Sequence, residues 1–128
     1  MCLKINYNIK ASRVNKDGYC VGYKVVEVEQ DGLKSYYKGF KYCIGDFVSN
    51  RKSAQLEYNE VYEINLGFHL FTTRNEARRF KTGKFATRMI RVFYKPEDAV
   101  AYGFFLNRGC YESVVVHKMT ISSLKAIR

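Results

Sequence analysis

Proline is nearly missing from this sequence: Pro96 is the one copy in 128 residues. With 11 Tyr, 9 Phe and many Val and Ile, that scarcity favours strands over a helix bundle. Long apolar runs are missing as well. The longest blocks, such as Ser113 to Val116, are strand-sized, whereas a membrane helix needs about 20 residues, so no membrane partner is expected. The stretch MCLKINYNIK mixes charge with apolar residues and has no signal-peptide core, so the chain is expected in the cytoplasm. Cysteine pairs are lacking too. Cys2, Cys20, Cys43 and Cys110 show no C-x-x-C spacing and read as reduced, structural thiols. A zinc set of Cys20, Cys43, Cys110 and His69 would have no local ligand pair, the usual basis of a structural zinc site, so neither metal nor cofactor is expected.

Catalytic spacings are equally scarce. There is no nucleophile elbow, Walker loop, dinucleotide fingerprint or H-E-x-x-H. The acidic residues are dispersed, which leaves no close carboxylate pair for acid–base work or for magnesium. The two histidines, His69 in GFHLF and His117 in VVVHK, read as hydrogen-bonded, half-buried strand residues.

What is present is positive charge. Twenty-two Lys and Arg against twelve Asp and Glu give +10. Residues 21 to 73 are near neutral, with six basic and seven acidic side chains. Residues 74 to 95 hold eight cations, Arg74, Arg78, Arg79, Lys81, Lys84, Arg88, Arg91 and Lys95, against Glu76 alone. A concentrated field of that kind attracts phosphates or acidic protein surfaces. The same charges also fit a solvated face that only keeps the protein soluble.

The order of elements points to an α+β fold of one domain, residues 1 to 128, mainly an antiparallel sheet with one or two short helices. Residues 1 to 18 read as an arm or edge strand. Tyr19 to Glu29 is a strand, with Tyr23 and Val25 on one face and Lys24, Val26 and Val28 on the other. Asp31-Gly32 marks a hairpin turn into a return strand from Leu33 to Tyr37. Phe40 to Val48 reads as a bent or paired extended piece, and residues 49 to 57 as a loop. Strands follow at Tyr58 to Ile64 and Gly67 to Phe71.

A helix is expected next. Thr73 is its N-cap, Glu76 completes a capping box, and Gly83 closes it. Ala77 and Phe80 face the core, which puts Arg74, Arg78 and Lys81 together on the outside. Phe85 to Tyr94 carries apolar residues on both faces and reads as a central strand, with Arg88 and Arg91 on opposite sides. Pro96 to Ala101 reads as a short helical turn, Gly103 to Tyr111 as a loop exposing Phe104 and Phe105, and Ser113 to Ile121 as one last strand.

Two resemblances follow from these pieces. Met1-Cys2-Leu3, the Gly22-Tyr23-Lys24-Val25 strand, Gly67-Phe68-His69-Leu70-Phe71 leading to Thr73-x-x-Glu76-Ala77, and Val114-Val115-Val116 resemble small proteins common in phage and bacterial genomes. That resemblance implies a phage or mobile-element setting and assigns no activity. The run Phe71-Thr72-Thr73-Arg74-Asn75-Glu76-Ala77 resembles the strand-to-helix passage of ADP-ribosyltransferases. There it implies matching site positions at Lys24, Thr72 and Glu112. Lys24 departs from the family pattern of His or Arg, because an ammonium lacks the planar donor or ring that orients a nicotinamide ribose. Cys110 likewise replaces the residue that precedes the family's Glu by two. The implied relative is degenerate, and fold analogy assigns it no activity.

The expected function is therefore non-enzymatic binding of an anionic partner: a nucleoprotein, a nuclease or nucleic acid. In the phage setting this would be an anti-CRISPR-like inhibitor of a bacterial defence system. The partner-binding residues would be Arg74, Arg78, Arg79, Lys81, Lys84, Arg88 and Arg91. An ADP-ribosyltransferase-like enzyme using Lys24, Thr72 and Glu112 is the alternative, and a direct nucleic-acid binder the third reading.

Overall fold

A computed structural model of the protein describes residues 3–6, 8–9, 13–30, 32–35, 41–49, 57–58, 62–64, 67–81, 86–106 and 108–128. The strands are β1 (Leu3–Ile5), β2 (Cys20–Glu29), β3 (Gly32–Ser35), β4 (Lys41–Tyr42), β5 (Gly45–Val48), β6 (Glu57–Tyr58), β7 (Tyr62–Ile64), β8 (Phe68–Phe71), β9 (Thr87–Tyr94), β10 (Ala99–Leu106), β11 (Cys110–Val116) and β12 (Lys118–Ile121). Helix α1 (Arg74–Lys81) and a 3-10 turn, Pro96–Asp98, are the two helical pieces among the described residues. All twelve strands join one sheet in the order β5-β12-β9-β2-β8-β11-β10-β1-β7-β6, with β3 and β4 branching from β2. Every pairing is antiparallel. One eight-residue helix against twelve strands makes this a mainly β protein, and the α+β expectation is corrected accordingly.

The sheet curls around one face. The Tyr94 and Tyr102 hydroxyls meet at 2.9 Å although β2, β8 and β11 separate their strands in the sheet. Phe47 and Phe68 pack edge to face at 6.4 Å although β12, β9 and β2 lie between them. This enclosed face holds the larger core: Cys20, Val26, Leu70, Ile90, Val92, Tyr94, Val114, Val116 and Ile121. Val26, Ile90, Val92, Val114 and Val116 are fully buried, each contributing about 1.5–3 kcal/mol. Helix α1 covers the outer face, where Ala77 and Phe80 pack with Val25, Phe71, Met89, Phe105 and Tyr111.

Most of the expected strands occur, with five corrections. Tyr58 to Ile64 is not one strand: β6 ends at Tyr58, β7 begins at Tyr62, and the two pair antiparallel with Tyr58 opposite Tyr62. Gly103 to Tyr111 is the β10–β11 hairpin instead of a loop, and Phe105 is 4% exposed. Gly103 weakens the strand signal because it has no side chain. It is required there, since a Cβ would run into the Lys4 carbonyl of β1. The helical turn expected over Pro96 to Ala101 ends at Asp98, and Ala99 already pairs with Val116. Ser113 to Ile121 is two strands, because the chain changes neighbours at His117: β11 pairs with β10 and β8, and β12 with β5 and β9. The His117 amide and its Nε2 hold the Asp98 carbonyl (3.0 Å) and carboxylate (3.3 Å) at that junction. Finally, Glu76 makes only half of a capping box: its amide donates to the Thr73 hydroxyl oxygen at 3.2 Å, but its carboxylate turns elsewhere.

Residues 1 to 18, expected as an arm or edge strand, contribute β1, which lies between β10 and β7. Most of the 49–57 loop, Phe85 and the Gly83 helix stop lie outside the described residues.

Candidate functional site

Helix α1 is short and strongly amphipathic. Ala77 (0% exposed) and Phe80 (4%) fasten it to the sheet, which fixes its rotation and turns Arg74 and Arg78 to solvent. Arg78 Nη1 donates to Asn75 Oδ1 at 3.2 Å across one turn, so its head group stays at the surface. Lys81 is half-buried at the end of the helix. The basic residues of the last turn also face the helix's negative dipole end, which favours them locally.

The single acid of the helix does not offset this charge outward. Glu76 Oε2 accepts the Glu112 amide at 2.9 Å, and Glu76 Oε1 accepts from Arg79 Nη1 at 2.8 Å. Arg79 also donates to the Cys110 carbonyl at 3.1 Å and lies over the Tyr111 ring, 5.1 Å from its centroid. Arg79 is thus a clamp between α1 and β11, and only part of its charge is on offer. Thr73, the N-cap, and the clamp together explain why the chain turns into a helix here and not a residue or two later.

The other expected partner-binding residues divide. Arg91 sits opposite Tyr23 on the outer face, the one α1 packs on, and is half-buried. Arg88 sits opposite Val26, facing the enclosed core, and its Nη1 donates to the Leu124 carbonyl at 2.9 Å. Lys84 lies outside the described residues. What the sequence reading missed is the segment after β12. Ile127 packs into the cluster beneath α1, and its amide donates to the Met89 carbonyl at 2.9 Å. Exposed Lys125 and Arg128 flank that anchor. An apolar residue between two exposed cations at 125–128 was the available signal.

Lys24, Thr72 and Glu112 are brought only partly together. Thr72 and Glu112 face each other across β8 and β11, and the Thr72 hydroxyl donates to Glu112 Oε1 at 2.7 Å. Lys24 is buried on the same side of the sheet, but its ammonium donates to the His69 carbonyl at 2.9 Å and lies 5.3 Å from the Tyr42 ring centroid. The three residues therefore form one pair and one separately anchored lysine. Among the described residues no three His, Cys, Asp or Glu side chains gather as a metal set. No described helix is long and apolar enough to cross a membrane. Comparison of the chain with protein-family models, with curated proteins and with solved structures returns no match.

Proposed function

We propose that this chain is a non-enzymatic binding protein that engages an anionic partner through the outer surface of α1. The setting implied by its sequence resemblance is that of a phage-type, anti-CRISPR-like inhibitor in the host cytoplasm, acting on a defence nucleoprotein or nuclease. One observation carries the reading. Arg74 and Arg78 are exposed on a rigidly held helix whose only carboxylate is turned inward to the Glu112 amide and to Arg79. Exposed cations on one helix face, with the helix's own carboxylate turned away from them, favour encounter with a polyanionic surface.

The test is plating of a nuclease-targeted phage on defence-carrying bacteria that express the chain. The parent should restore plaques, and Arg74→Glu/Arg78→Glu should not, at equal protein level. Restoration that survives the double reversal would remove the patch from the function.

The Thr72–Glu112 contact favours a second reading, an ADP-ribosyltransferase-like or nucleotide-binding relative. Against it stands Lys24, whose charge is committed to the His69 carbonyl and the Tyr42 ring. Transfer of label from NAD to a host lysate, lost in Glu112→Gln, would establish the enzyme.

A further inference from the structure

The cationic surface is wider than the helix. Ile127 packs against the cluster that α1 covers and its amide donates to the Met89 carbonyl, so the 122–128 segment continues past β12 alongside β9 and carries Lys125 and Arg128 on either side of that anchor. A second tie, Arg88 to the Leu124 carbonyl, fixes the same segment from the enclosed side of the sheet. Cations from three separate elements thus belong to this side of the sheet or flank its anchor: Arg74, Arg78 and Lys81 on α1, Arg91 on the outer face of β9, and Lys125 and Arg128 beside Ile127.

The chemistry of that face narrows the partner. Protein interfaces depend on exposed apolar or aromatic anchors at their centre. The exposed large apolar side chains among the described residues are Val14, Val28, Ile44, Val48 and Leu106, none of them in α1, β9 or the 122–128 segment. Single-stranded nucleic acid is held by bases stacking on exposed rings. The rings under α1, Phe71, Phe80, Phe105 and Tyr111, are all buried and packed on one another. Among the described residues, what is left there is a polar, cationic surface that can touch phosphates, with Tyr23 and Phe93 half-buried and no exposed large apolar or aromatic side chain to insert or stack. That is the character of a contact with the backbone of a duplex.

We infer that this face binds the sugar–phosphate backbone of a nucleic-acid duplex without reading its sequence, with the 122–128 segment acting together with α1. The inference rests on the anionic-partner reading above and names the partner's chemistry. The two arginines and the two cations beyond β12 each neutralise phosphates, so binding is dominated by counterion release and is steeply salt-dependent.

The experiment is fluorescence anisotropy of the full chain with four labelled probes: a mixed-sequence DNA duplex, the same RNA duplex, oligo(dT) and poly-glutamate, each at several salt concentrations. The two duplex arms decide which backbone is preferred. A duplex should bind in the micromolar range at low salt, and each phosphate contact should add about 0.9 to the slope of log affinity against log salt on DNA. Arg74→Glu/Arg78→Glu and Lys125→Glu/Arg128→Glu should each weaken binding about tenfold or more and flatten that slope. Lys16→Glu/Lys118→Glu, the same change in net charge placed on exposed residues elsewhere, should leave the slope nearly unchanged. Equal losses in all three double variants would reduce the effect to net charge and overturn the assignment to this face. Binding of poly-glutamate or oligo(dT) in preference to both duplexes, still dependent on Arg74 and Arg78, would overturn the duplex and leave the anionic-partner reading standing. Failure to bind any probe with the fold intact would overturn the duplex inference, and plating would then decide the broader reading separately.

Discussion

Thr72 and Glu112 are joined twice across the β8–β11 ladder. The Thr72 amide donates to the Glu112 carbonyl at 3.2 Å, and the Thr72 hydroxyl donates to the Glu112 carboxylate at 2.7 Å. The Glu112 amide is in turn bound by Glu76 of α1, so this pair fastens the first turn of the helix to the sheet. A hydrogen bond to a partly buried carboxylate contributes about 1.5–3 kcal/mol. Thr72→Val should therefore cost roughly that much in urea unfolding. Glu112→Gln should cost less, because its amide oxygen still accepts from Thr72. Equal stability of parent and Thr72→Val would show that the pair is not a fastening.

Lys24 is 8% exposed, and among the described residues its ammonium has a carbonyl and a ring as partners, with no carboxylate. Burying an ammonium carries a desolvation cost that a carbonyl and a ring offset only in part. Lys24→Met retains the stem and removes the charge, so it should lie within about 1 kcal/mol of the parent or be more stable. Lys24→Ala should lose about 2–3 kcal/mol through the vacated volume. Urea midpoints of the two variants check this. A large loss in Lys24→Met would mean that the charge itself is required.

Gly103 is where β10 lies against β1, and an added Cβ meets the Lys4 carbonyl, which is backbone and cannot swing aside. At Gly22 an added Cβ meets the Leu70 side chain, 2.8 Å from Cδ1 and 2.9 Å from Cβ; a rotamer change clears Cδ1, and a small shift of β8 against β2 must clear Cβ. Gly103→Ala should cost about 3 kcal/mol or more, and Gly22→Ala about 1–3 kcal/mol. Thermal melts of both variants measure the order. The reverse order would contradict the β1–β10 register.

These glycines also show where sequence reading succeeds and stops. Strand β2 and the β2–β3 hairpin were legible because Val25, Val26 and Glu27 alternate and Asp31-Gly32 gives the turn. Helix α1 was legible from Thr73, Ala77 and Phe80. Strand β10 was not, since Ala99, Ala101 and Gly103 are weak strand formers in isolation and are held by Lys4 and Val116, far away in sequence. The break at His117 was hidden in the same way. VVVHKMTI alternates through it, and only the contact with Asp98 shows the change of neighbours. At the site, exposure of Arg74 and Arg78 followed from helix geometry, whereas the roles of Arg79 and of 122–128 depend on tertiary contacts with Tyr111 and Met89.

Cys20 is fully buried, and burial pushes its thiol pKa up. A hydrogen bond with Tyr94 opposes the shift, and the Glu97 charge adds to it. The thiol keeps its proton longer in the folded chain than in the unfolded one. This contribution is fully present below the ordinary thiol pKa and is lost as pH rises through the folded value. The difference in unfolding free energy between parent and Cys20→Ala should therefore shrink as pH rises above the ordinary thiol range. Native-state alkylation should meanwhile reach exposed Cys43 and Cys110 and spare Cys20. Rapid labelling of Cys20 in the folded protein would contradict its burial.

Arg79 should behave differently from its helix neighbours, although all three arginines carry the same charge. Its guanidinium bridges Glu76, the Cys110 carbonyl and the Tyr111 ring, while its side chain remains 54% exposed. Exposure limits the ion pair to about 0.2–1 kcal/mol, and stacking on Tyr111 adds about 0.5–1 kcal/mol. Arg79→Ala should thus cost about 1–2 kcal/mol, partly because Glu76 is left half-buried without its cation. Arg74→Ala and Arg78→Ala should stay within about 0.5 kcal/mol of the parent. Arg79→Lys should recover little, since an ammonium cannot bridge a carboxylate and a carbonyl while lying flat on a ring. A double-mutant cycle between Arg79→Ala and Tyr111→Leu, read by urea unfolding, isolates the stacking. A coupling indistinguishable from zero would leave no energetic part for the ring, with Arg79 held by Glu76 and the Cys110 carbonyl alone.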